Sequence, residues 1–99
     1  MVSTRIPKSD AKTLAVVKDE LWGTVDFFRR RLGEGDCHDD HSAHAMGLQV
    51  SSWIYGEIML ARKLLHWPAI TEAEEAATLA EAALKRDLEI ASAWLREAT

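Results

Sequence analysis

The sequence predicts an all-α protein: one domain over residues 1–99, built as an antiparallel, up-down-up bundle of three long helices at roughly 10–32, 38–66 and 72–98. Three observations predict it. Apolar residues recur at alternating three- and four-residue steps in three successive segments, the period of a helix with one buried face. Glycines and a proline punctuate those segments. The connections between them are short, which places consecutive helices side by side and antiparallel.

The first segment opens at Ser9 or Asp10, either of which is a helix-capping residue type. Leu14, Val17, Leu21, Val25, Phe28 and Leu32 then form a single stripe, and Gly33 and Gly35 end it. The second starts among Asp36, Asp39 and Asp40, where acids suit both the cap and the helix dipole. It runs to about His66, ahead of Pro68. The third opens on Thr71-Glu72-Ala73-Glu74, which has the form of a capping box. Its stripe is Ala77, Ala80, Leu84, Leu88, Ala91, Leu95 and Ala98. Helices of roughly 22 to 27 residues are about 33 to 40 Å long. That is elongated for an isolated domain of 99 residues, so the predicted bundle is completed by dimerisation.

Composition narrows the function classes. Hydrophobic residues make up 47% of the chain, enough for a core without disulfides. A net charge of −4 argues against a phosphate backbone as the main partner, and the one basic run, Arg29-Arg30-Arg31, stands at a helix end that favours cations. The single cysteine, Cys37, excludes an internal disulfide framework and fits a reducing compartment. Neither a signal-like apolar start nor a stretch of about 18 apolar residues is present. The expected location is cytoplasmic, with no membrane and no nucleic acid as direct partners.

Placed on a helical wheel, the second segment has a broad apolar arc of Met46, Val50, Trp53, Ile54, Ile58, Leu60, Ala61, Leu64 and Leu65, with Glu57 near its centre. Asp87 falls likewise within the apolar arc of the third segment, beside Trp94. A buried carboxylate needs a partner, a raised pKa or water. Glu57 and Asp87, with Lys18 nearby, are therefore a candidate buried polar pocket. An antiparallel pairing that turns near Ala69 offsets the two acids by about 9 Å along the axis. Separate ion pairs or hydrogen bonds are thus the simpler expectation.

The opposite side of the second helix carries a thinner line of Leu48, Tyr55 and Met59, continued by Arg62. Core packing does not account for apolar residues facing away from the core. Tyr, Met and Arg are enriched at interfaces, so these four are the candidate partner-binding residues. "GDCHDDHSAHA", residues 35–45, gathers a cysteine, three histidines and three aspartates. Cys37, Asp40, His41 and His44 fall close together at one helix start and could ligate zinc or nickel. They leave a four-ligand shell incomplete unless a second copy contributes. No Cys-x-x-Cys pair exists, since position 34 is Glu, and no Gly-rich phosphate loop or nucleophile–base–orienting set is visible.

The expected function is a non-enzymatic helical interaction protein that needs no cofactor, forms a homodimer and acts by binding another protein, as a regulator, adaptor or phage-type inhibitor does. The alternative is a metal- or small-ligand-binding helical protein. It would use the Cys37–His44 cluster, with zinc or nickel, or a pocket at Glu57 and Asp87.

Overall fold

The computed structural model describes residues 6–35 and 38–98, with side chains as far as residue 93. Three helices, α1 (Lys8–Gly33), α2 (Asp40–Leu64) and α3 (Ala69–Ala98), pack against one another as a bundle, and there is no strand among the described residues. The molecule measures 58 × 22 × 17 Å.

The stripe predicted on α1 is the core stripe. Leu14, Val17, Leu21, Val25 and Phe28 are buried, and Leu32 packs on the edge of the cluster. They meet Met46, Val50, Ile54, Ile58, Ala61 and Leu65 from the second helical region, and Ala69, Ala73, Ala77, Ala80, Leu84 and Leu88 from α3. The four alanines of α3 leave room for the larger side chains opposite, and Phe28, Leu21 and Leu84 fill the centre. Ala91 packs at the margin, whereas the side chains of Trp94, Leu95 and Ala98 lie outside the described residues.

The helix starts differ from the expectation in two of three cases. α1 begins at Lys8 after Pro7, with no side-chain cap; Asp10 sits inside its first turn, and Ser9 is exposed. Asp10 is 3% exposed because its carboxylate accepts from the His66 backbone N–H at 2.9 Å and lies 3.2 Å from His66 Nδ1. A distant partner thus claims the carboxylate that local sequence offers as a cap. α3 starts at Ala69, not Thr71. The Ile70 and Glu72 N–H groups bond to the carbonyls of His66 and Pro68, so the helix forms without the Thr71–Glu74 box. Ala69 and Ala73 are both fully buried, and packing the first turn outweighs the cap.

α2 does use a side-chain cap. Asp39 Oδ1 accepts from the Ser42 N–H at 2.6 Å, and Ser42 Oγ receives the Asp39 N–H at 3.1 Å, a reciprocal box. The bond accepted from the Ser42 backbone N–H is the main cause that holds the Asp39 carboxyl below the usual range. Asp36 lies outside the described residues, and Asp40 is the first helical residue. At the end of α1, Gly35 has φ 85°, a left-handed conformation that glycine adopts without strain.

Candidate interaction surface

Three side chains predicted to be core are not. Trp53, Leu60 and Leu64 are 48%, 57% and 52% exposed, because the apolar arc of α2 is wider than the strip its two neighbours cover. With Gln49 and Gly56 they form one line along α2 at steps of four, three, four and four residues. α1 carries a line of the same spacing: Val16, Glu20, Gly23, Phe27 and Arg31. Two contacts fix both lines to one seam. Phe27 and Trp53 stack edge to face at 5.2 Å, and Arg31 donates to the Gln49 side chain at 2.9 Å.

The seam has three zones. At one end Phe27, Phe28 and Trp53 form a mutually edge-on aromatic trio, with the Arg31 guanidinium 5.9 Å from both phenyl rings. At the other end stand the exposed aliphatic side chains Val16, Leu60 and Leu64. Gly23 and Gly56 lie between, and a Cβ added at either would meet nothing within 4 Å. The backbone there is bare on both helices.

Glu57 lies at this waist. Its Oε1 makes a short contact with the buried hydroxyl of Thr24, which also donates to the Glu20 carbonyl at 3.0 Å. Oε2 is buried and has no hydrogen-bond partner among the described residues. Desolvation pushes the Glu57 carboxyl above its ordinary value; the Thr24 bond opposes this and the nearby Glu20 charge adds to it. A hydroxyl carries one proton and cannot donate to both neighbours. With Glu57 protonated, the carboxyl donates to Thr24 Oγ1 and the Thr24 proton goes to Glu20, so both bonds are made.

The predicted Glu57–Asp87–Lys18 pocket is not assembled. Lys18 Nζ pairs with Glu72 at 2.5 Å and Asp87 with Arg29 Nε at 2.7 Å, both between α1 and α3, whereas Glu57 faces Thr24 between α1 and α2. Helix packing sets Lys18 and Asp87 at the α1–α3 contact and Glu57 at the α1–α2 contact, so the three do not meet.

On the outer face of α2, Leu48 and Tyr55 are 61% and 64% exposed. Met59 is half-buried beneath Arg62, whose Nη1 lies 3.7 Å from the Met59 sulfur. Arg62 Nε also donates to Glu74 at 2.9 Å, which ties this end of the line to α3. Tyr55, Arg62 and Glu74 border an open groove of about 620 Å³ that also includes Ser51 and Glu81. Glu81 accepts from Lys85 and Ser51, and those bonds hold its carboxyl low.

Asp40, His41 and His44 are all exposed at the start of α2, and Cys37 lies outside the described residues. His66 stands at the other end of α2, against Asp10. Among the described residues no three His, Cys, Asp or Glu side chains come together in a way that would hold a metal ion. No described helix is long and apolar enough to cross a membrane.

Trp53, Leu60 and Leu64 sit beside core residues on the wheel, so spacing within α2 alone does not separate the seam from the core. The signal was present in the matched spacing of the two lines and in a glycine at the middle of each. No protein-family model, curated protein or solved structure matches this chain.

Proposed function

We propose that this chain is a non-enzymatic helical interaction protein that self-associates and acts by binding another protein. The observation that carries this reading is the α1–α2 seam, where Val16, Phe27, Trp53, Leu60 and Leu64 are each between 41% and 60% exposed along one continuous face. Aligned exposure of this kind marks an interaction site, whereas single exposed apolar residues are ordinary. The up-down-up arrangement belongs to the same proposal. It is supported by contacts whose α1 number rises as the partner number falls: Asp10 with His66, Thr24 with Glu57, Phe27 with Trp53, and Arg31 with Gln49.

Two apolar surfaces suit two roles. The seam serves self-association, and the outer line of Leu48, Tyr55, Met59 and Arg62 remains for a second protein. Sedimentation equilibrium over a wide concentration range tests the reading. Reversible self-association is expected; Leu60→Asp should weaken it and Tyr55→Ala with Met59→Asp should leave it intact, all without loss of helical circular dichroism. A chain that stays monomeric at every concentration overturns the proposal.

A further inference from the structure

Resting on the self-association reading, we infer that a second copy of this chain covers the α1–α2 seam, with a twofold axis through the waist formed by Gly23 and Gly56. The size of the face fits that occupant. An axis through Gly23 and Gly56 overlaps residues 13–33 of α1 and 48–64 of α2 with their images, about 24 to 30 Å of helix, and two adjacent helices are about 20 Å across. The shared face is therefore of order 500 Å² from each copy, or about the 1,000 Å² in total that a specific interface needs.

The seam is also self-complementary about its waist. Phe27 and Trp53 stand one step to one side of the two glycines, and Leu60 stands one step to the other, with Leu64 beyond it. A perpendicular twofold axis there lays the aromatic end of each copy on the aliphatic end of the other. On α2, Trp53 then meets Leu60 of the other copy; on α1, Phe27 comes opposite Glu20 of the other copy and Arg31 opposite Val16, and between them bare backbone meets bare backbone, which permits close helix approach. Such an interface is isologous and closes at two copies.

Charge is compatible with this arrangement. Between Val16 and Phe27 the α1 line carries one charge, Glu20, three residues from Gly23. The axis separates it from its own image by about 9 Å along the helices, so the two carboxylates do not meet. The Glu57 carboxyl, with Thr24 and Glu20 as its neighbours, stays beneath the contact and is not called upon to bond across it.

Native mass spectrometry and sedimentation velocity on the full chain, with Gly56→Lys, Leu60→Asp and a Tyr55→Ala control, test the inference. Lysine is a better helix former than glycine, and position 56 has open space, so Gly56→Lys should fold at least as well while blocking the waist. The expected result is a wild-type species of two 11.1 kDa chains. Gly56→Lys should be monomeric with an undiminished melting temperature, and Leu60→Asp should raise the dimer Kd at least about tenfold. Tyr55→Ala should leave the dimer unchanged. A dimer that survives both seam variants but yields to Tyr55→Ala places self-association on the outer face and overturns this inference alone. A wild-type monomer at all concentrations overturns it together with the reading it rests on.

Discussion

Asp10 and Glu57 are both drawn out of water by folding, and their carboxyl groups respond in opposite directions. The His66 backbone N–H and ring lower the Asp10 pKa from its usual 3.8. The unfolded chain then binds more protons than the native one near that pH. The stabilisation by Asp10 is present above pH 3.8 and is lost as pH falls through the lower native value. Asp10→Asn should lower the melting temperature at neutral pH, and the deficit should shrink in acid; a deficit constant across pH would refute this role. For Glu57 the sign reverses. Burial raises its native pKa above 4.5, so the native state holds the proton longer, and stability falls as pH rises from 4.5 through the native value. Glu57→Gln keeps a donor for Thr24 and has no charge to bury. The variant should gain on wild type in thermal melts as pH rises from about 4 to about 7. No change in that difference across the range would show that Glu57 is ionised in the native protein.

Each helix divides its apolar residues between what it must bury and what it shows, and the energies should follow that division. Phe28 is fully buried at the contact of α1 with Trp53, and Phe28→Ala should cost about 3–5 kcal/mol in urea denaturation. At protein concentrations where the chain is monomeric, Leu60→Ala on the seam of α2 should cost less than about 1 kcal/mol, since the side chain is already 57% exposed. Near-equal costs would mean that the α2 line is core after all. Gly56 is a different case: an alanine there meets no neighbour within 4 Å. Gly56→Ala should stabilise the isolated fold by about 1 kcal/mol. A glycine at that cost in an exposed helix fits the inference that another backbone comes near it.

Among the described residues, three ion pairs link α3 to its neighbours: Lys18–Glu72 and Arg29–Asp87 to α1, and Arg62–Glu74 to α2. All six side chains are between 30% and 50% exposed, so each pair contributes about 0–1 kcal/mol and helps fix register more than it stabilises. Asp87→Ala should therefore leave the fold and the midpoint of denaturation nearly unchanged. A loss above about 2 kcal/mol would show a buried charge of the costlier kind. If two copies associate through the seam, the melting temperature should also rise with protein concentration, because only folded chains dimerise.

The all-helical class, the number of helices and the core of α1 were legible in the sequence because a period of 3.6 residues is a local property of the chain. The Leu14–Phe28 stripe and the glycines after it needed nothing beyond their spacing. The start of α2 was legible for the same reason: Asp39 and Ser42 satisfy each other within three residues. What escaped depended on distant partners. His66 turned Asp10 from a cap into a buried acceptor, and the burial of Ala69 and Ala73 began α3 before its apparent capping box. Thr24, Arg29 and Glu72 took Glu57, Asp87 and Lys18 to separate places. Above all, the width of the strip that α1 and α3 cover decided which apolar residues of α2 became core. A helical wheel gives the direction of each side chain, but only the packed neighbours determine where the core ends and an open face begins.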